Sequence, residues 1–215
     1  MRLRATLYLL LGLTLTPIAQ ARPVSYTDSW TVMLRNDVEQ NSAHLHYTFD
    51  RRHSLGLRLR YDRDSDSVFT GAQLNRLVKR WNETDSQANI YGHAALGLVT
   101  DEAPSASARP DDVGFFLAAS ADWETRRYFT SASIDYWDQG RFGNEISYHS
   151  RLGIAPYIAG TGALHTWIMV EGHHRPQDDT PLSASALLRF FKGPSLLELG
   201  VDTQGEPLLN YIHRF

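Results

Sequence analysis

The sequence predicts an all-β protein, and within that class a closed antiparallel transmembrane β-barrel of about twelve strands, with ten or fourteen as the alternatives. Three observations predict it. From Ser29 onward, apolar and polar residues alternate in segments of about ten, the period of a strand whose two faces meet different surroundings. No stretch shows a convincing 3.6-residue period, and after the leading segment no apolar run approaches the ~18 residues that a membrane helix needs. The connecting segments fall into two strictly alternating sets, one mostly tight and one longer on average, as in barrels with short periplasmic turns and longer outer loops.

Each element can be placed in order. Arg2 and Arg4 precede an apolar, Leu-rich run from Ala5 to Ile18, and Ala19-Gln20-Ala21 supplies small residues where a signal peptidase reads. This three-part pattern is a secretory signal, residues 1–21, with cleavage expected after Ala21 and residues 22–215 forming one barrel domain. Strands follow at 29–35 and 42–49; in the second, Ala43, Leu45, Tyr47 and Phe49 alternate with His44, His46 and Thr48. After a tight turn at 50–53, strand 54–61 alternates Leu55, Leu57, Leu59 and Tyr61 with Gly56, Arg58 and Arg60. Strands 68–79 and 87–99 flank a turn at 80–86, and a longer loop, 100–112, is rich in Ser, Ala and Pro. Strand 113–124 again alternates, with Val113, Phe115, Leu117, Ala119, Ala121 and Trp123 on one face. The remaining strands are 128–136, 146–156, 164–171, 182–190, 195–201 and 208–215. Tight connections fall at 125–127, 157–163 and 191–194, and longer ones at 36–41, 62–67, 137–145, 172–181 and 202–207. An even strand number places both termini in the periplasm, as the class requires.

Aromatic residues gather at both strand ends. Phe49, Trp81, Trp123, Tyr128, Tyr157, Phe190 and Phe215 fall near the tight turns, and Tyr61, Phe69, Phe115, Tyr136 and Trp137 near the longer loops. Such rings prefer the headgroup boundary, so two membrane girdles are expected. Leu209, Tyr211, His213 and the final Phe215 share a face, and a terminal Phe on a last strand resembles the outer-membrane assembly signal. That resemblance implies the assembly machinery as a partner, beside outer-membrane lipid and lipopolysaccharide.

The chain has no cysteine, which excludes disulfides, thiolate metal sites and cysteine nucleophiles. Its net charge of −3 gives no reason to expect nucleic acid as a partner. The inferred lumen carries both signs: Arg58, Arg60, Arg151 and Arg189 against Asp122, Glu124, Asp135, Glu171 and Glu198, with His44, His46, His93, His149 and His165 on the same face. Paired, these charges would fill a narrow barrel; unpaired, they would line a pore or a solute site. The longer loops hold fifteen acids (Asp37, Glu39, Asp62, Asp64, Asp66, Asp101, Glu102, Asp111, Asp112, Asp138, Glu145, Asp178, Asp179, Asp202 and Glu206) against Arg63, Arg109, Arg141 and Arg175. An acidic mouth of this kind concentrates cations; alternatively, the acids serve solubility or bridge lipopolysaccharide phosphates through divalent ions.

His44 and His46 lie two apart on one strand face, as a two-ligand metal site needs, and His173, His174, Asp178 and Asp179 form a second His/carboxylate group. No cofactor is expected. An enzyme is not expected either. His149 and Ser150 point to opposite faces, while Ser42 and His44 share a face but have no carboxylate partner on their strand.

Five stretches, SWTVMLRNDVEQN (29–41), LNRLVKRW (74–81), RLGIAPYI (151–158), LHTWIMVE (164–171) and LRFFKG (188–193), resemble an uncharacterised proteobacterial barrel family associated with metal-resistance loci. The resemblance implies an envelope role in metal handling and assigns no residue a role. The sequence therefore points to a passive channel or binding protein for small cations, divalent metals among them. The alternatives are a closed structural or interaction barrel and, third, a lipid-modifying barrel enzyme acting through Ser42 and His44.

Overall fold

The computed structural model describes residues 23–102 and 109–215; the expected signal segment, residues 1–21, lies outside the described residues. Twelve strands follow in order: β1 (Ser29–Asn36), β2 (Gln40–Thr48), β3 (His53–Asp62), β4 (Ser67–Asn82), β5 (Ser86–Asp101), β6 (Asp112–Thr125), β7 (Tyr128–Asp138), β8 (Asn144–Ile154), β9 (His165–His174), β10 (Leu182–Lys192), β11 (Ser195–Asp202) and β12 (Pro207–Arg214). Each is antiparallel to its sequence neighbours, and β1 pairs with β12, setting Thr31 opposite Arg214, so the sheet closes into a barrel. One 3-10 turn, Gly140–Phe142, interrupts the connection from β7 to β8.

The period-two pattern decides which side chains face out. Leu96, Leu152 and Leu182 are 63%, 66% and 74% exposed, and they belong to a continuous belt of Leu, Ile and Val around all twelve strands. Soluble proteins rarely expose apolar patches beyond a few hundred Å². A belt so largely apolar needs hydrocarbon around it, and closure leaves no unpaired strand edge to be desolvated there. Trp30 and Tyr47 (ring centroids 5.2 Å apart) belong to the belt's tight-turn border, and Phe115 and Tyr136 (5.8 Å) to its other end.

Two aromatics expected in that second girdle instead face the bore. Phe69 and Trp137 are 0% and 3% exposed and pack with Val99, Phe116 and Phe142. Their place near a strand end is as expected, but their parity puts them inside. A second internal cluster joins Ala155, Trp167, Met169, Leu187 and Leu208. Residues 23–26 also turn into the bore: Val24 packs on Leu77 and Tyr91, and Ser54 Oγ donates to the Pro23 carbonyl at 2.9 Å.

The hairpin of β4 and β5 is longer than expected, leaving only 83–85 as its turn. A register shift between Leu77 and Lys79 resets the alternation there, and Lys79, Arg80, Asn82 and Gln87 make both faces polar beyond it. Such a segment reads as a turn although it stays paired. Lengthened strands also shrink the difference between the rims. The expected outer connections become 37–39, 63–66, 102–111, 139–143, 175–181 and 203–206, while 155–164 on the other rim is as long as any of them.

Candidate functional site

The bore holds two cavities in series. A vestibule of about 500 Å³ at the tight-turn rim is bounded by Arg80, Asp122, Glu124, Arg126 and Trp167, among others. A central chamber of about 340 Å³ follows, bounded by His44, Arg58, His93, Phe116, Asp135 and Arg151, among others. Arg189 and Leu196 border both spaces.

Alternation along each strand brings the expected lumen residues together. Glu198 on β11 accepts from Arg151 at 2.9 Å, Arg189 at 2.6 Å and Asn210 at 2.8 Å, joining β8, β10, β11 and β12. Arg151 also binds Glu171 on β9. Asp122 accepts from Asn89 at 2.6 Å near the vestibule. His149 lies 3.8 Å from Asp135 and stacks on His173, with centroids 4.2 Å apart. Arg58 donates to neutral Gln73 at 3.2 Å and lies over Phe116 and Trp137.

Toward the acidic rim the bore is crossed by side chains. Arg60 on β3 reaches Glu145 at the start of β8 and its own neighbour Asp62, both at 2.8 Å, and stacks over Trp137 with 4.5 Å to the centroid. Arg175, just past β9, meets Asp64 at 2.8 Å, Asp178 at 3.1 Å, Glu39 at 3.4 Å and Glu145 at 3.6 Å. β3 and β9 stand six strands apart in a ring of twelve, so these contacts tie opposite walls together. Burial pushes the Glu39 carboxyl up, but its hydrogen bond to His173 and the charges of His173, Arg175 and Arg35 outweigh this and bring it down to about 2. We call this group the clasp.

The acidic mouth is therefore less free than its composition suggests. Asp37, Asp62 and Asp202 cap turns through backbone N–H groups, Asp101 holds Arg109 at 2.8 Å, and Asp112 holds Arg141 at 3.2 Å. An Asx turn takes an Asp or Asn side-chain oxygen at its first position, and Asp37, Asp62 and Asp202 fill that role here.

The expected metal groups are arranged differently from one another. His44 and His46 share the lumen face, with ring centroids 4.5 Å apart. His173 and His174 are consecutive in β9 and so point to opposite sides: His173 reaches Glu39 at 3.0 Å inside, while His174 stacks on Tyr148 outside. Asp178 joins Arg175 in the clasp, away from His174. The second His/carboxylate group is thus split by the strand's own alternation, and among the described residues no set of three or more His, Asp or Glu side chains is placed to hold a metal ion. Ser42 and His44, named for the enzymatic alternative, both border the central chamber, with no hydrogen bond between them among the described residues.

Sequence reasoning did not single out the clasp. Arg175 and Asp64 are 111 residues apart, and no local spacing announces their contact. Asn75 and Ser120 were also missed; both are small polar residues at inward positions of β4 and β6, where the only signal was parity.

No protein-family model matches the chain, and no curated protein matches it. Among solved structures it is similar to the KdgM porin, with a TM-score of 0.50 and 8% identity over 87% of this chain and 98% of that one. It also aligns with LpxR from Salmonella typhimurium (TM-score 0.44, 10% identity, 87% of this chain and 99% of that one). A further alignment is with OccAB4 of Acinetobacter baumannii (0.40, 11%, 82% and 53%). At these identities the likeness is one of fold: the chain has the architecture of an outer-membrane β-barrel.

Proposed function

We propose that this barrel is a small-solute channel of an outer membrane, shut at its acidic mouth by the clasp and preferring cations where it is narrowest. The observation that carries this is the charge at the constriction. Two guanidiniums, Arg60 and Arg175, stand against five carboxylates, Glu39, Asp62, Asp64, Glu145 and Asp178. In a narrow, partly desolvated passage such an excess sets the sign of the ion admitted, far more than acids spread over exposed loops. Side chains make the closure, and the two cavities below it supply most of a path. Nothing in the split of His173 from His174 favours a metal over other cations, so the reading stops at charge.

A second reading is a non-conducting barrel serving structure or interaction. The cluster of Phe69, Val99, Phe116, Trp137 and Phe142 favours it, because it fills part of the bore beside the clasp with apolar side chains. Planar-bilayer recording of the refolded barrel in a salt gradient separates the two. Discrete steps with a reversal potential shifted toward the cation support the channel. A folded, heat-modifiable barrel with no steps at any voltage refutes it, and steps with an anion-shifted potential refute the charge argument.

A further inference from the structure

The channel reading makes no use of the polar wall that β3 to β6 present to the central chamber. On it, Ser120 Oγ lies 3.2 Å from His93 Nε2, and His93 Nδ1 lies 2.8 Å from Asn75 Oδ1. The direction of each hydrogen bond in this row follows from its two ends. The Pro23 carbonyl can only accept, so Ser54 Oγ donates to it and in turn accepts from Asn75 Nδ2 at 2.9 Å. The Arg58 guanidinium can only donate, so Gln73 turns Oε1 toward it and gives Nε2 to Asn75 Oδ1 at 2.6 Å. Both ends therefore turn the Asn75 carbonyl oxygen toward His93. An oxygen facing Nδ1 requires the proton there, which leaves the lone pair on Nε2 and makes Ser120 the donor to it.

A hydroxyl nucleophile bonded to the free nitrogen of a histidine, whose other nitrogen is held by a fixed acceptor, is the arrangement that acyl transfer needs. We infer that Ser120, His93 and Asn75 form such a relay, and that the central chamber cleaves small carboxylic esters. This goes beyond the channel reading and does not depend on conductance. Ser120 Oγ adds to the ester carbonyl carbon while its proton passes to His93 Nε2. The bond to the alcohol oxygen then breaks, and the alcohol leaves with that proton. Water completes the cycle: it gives a proton to His93, its oxygen adds to the acyl carbon, and Ser120 Oγ departs reprotonated, releasing the acid. Arg58 borders the same chamber without a carboxylate on its hydrogen-bonding nitrogen, and offers positive charge for the developing oxyanion. Of the two reacting side chains Asn75 meets His93 and not Ser120, so it is a positioning residue. A chamber of about 340 Å³ reached past a vestibule of about 500 Å³ suits acetyl and similarly short esters.

The test uses the refolded barrel with two probes, diisopropyl fluorophosphate followed by peptide mass mapping, and p-nitrophenyl acetate hydrolysis. We expect one phosphorylated serine, Ser120, and hydrolysis that falls at least about a hundredfold in Ser120→Ala and in His93→Gln. Asn75→Asp should move the acidic limb of the pH–rate profile upward, because a carboxylate favours the proton on His93. Heat-modifiable migration reports that each variant is folded. An unlabelled Ser120 in the folded wild-type barrel overturns the proposal, and so does labelling at a rate indifferent to His93→Gln.

Discussion

Replacing Arg175 by Gln removes the one charge that touches four carboxylates at the mouth. The four contacts are unequal. Asp64 is 65% exposed and Asp178 32%, so each is screened and contributes about 0–1 kcal/mol. Glu39 and Glu145 are 19% and 10% exposed, and Arg175 itself is 10% exposed. Stripping the partner from buried carboxylates costs about 3–5 kcal/mol. Glu39 keeps His173 and Glu145 keeps Arg60, which holds the cost near the lower end, about 3 kcal/mol. The loss falls on the closed mouth alone, since in an open one these groups are solvated. At about 1.4 kcal/mol per tenfold, the ratio of open to closed should rise about a hundredfold. Single-channel open probability of Arg175→Gln against wild type reads this directly, with the barrel's heat-modifiable migration as the folding control. An open probability within about threefold of wild type in a folded variant would show that the closure lies elsewhere.

The clasp should also respond to acid. Glu39 is brought down to about 2 from an ordinary 4.5, so its contribution to the closed mouth is complete above about pH 4.5 and fades as pH falls toward 2. Open probability should therefore climb between pH 4.5 and pH 2; a flat profile over that window would count against Glu39. Deeper in the bore, Glu198→Gln leaves Arg151 and Arg189 facing one another across a neutral amide, and should destabilise the barrel by about 3 kcal/mol. Urea unfolding in lipid vesicles measures it, and a midpoint equal to wild type would show the two arginines to be compensated by other partners.

How much of this was legible depends on range. Parity along a strand is a local property, and it was enough to set Leu55, Leu57 and Leu59 outward and Arg58 and Arg60 inward. The same rule separates His173 from His174, and it was overridden when the two were grouped by nearness in sequence. Phe69 and Trp137 were assigned to a girdle by position along the strand, although their parity already set them on the inward face with Gln73 and Asp135. What parity cannot supply is which inward residues meet across the bore. Arg60 to Glu145 and Arg175 to Asp64 depend on the strand number and stagger of the closed ring, and those are properties of all twelve strands together. The relay at Ser120 is intermediate: each pair of strands is adjacent, but the register that aligns Asn75 with His93 is set by the whole hairpin.

The seam between β1 and β12 bears on how such a molecule comes into being. Met33 lies opposite Ile212, and Phe215 donates its backbone N–H to the Trp30 carbonyl at 3.0 Å, so β12 completes the ladder of β1. Until that happens, both terminal strands carry a row of bare amides and carbonyls that hydrocarbon cannot satisfy and any other strand can. A ring of this kind gains little from being eleven-twelfths built. A chain cut before Pro207 would expose β1 and β11 as two adhesive borders, each able to recruit a foreign strand or a sister molecule, and its natural failure is therefore aggregation by strand exchange.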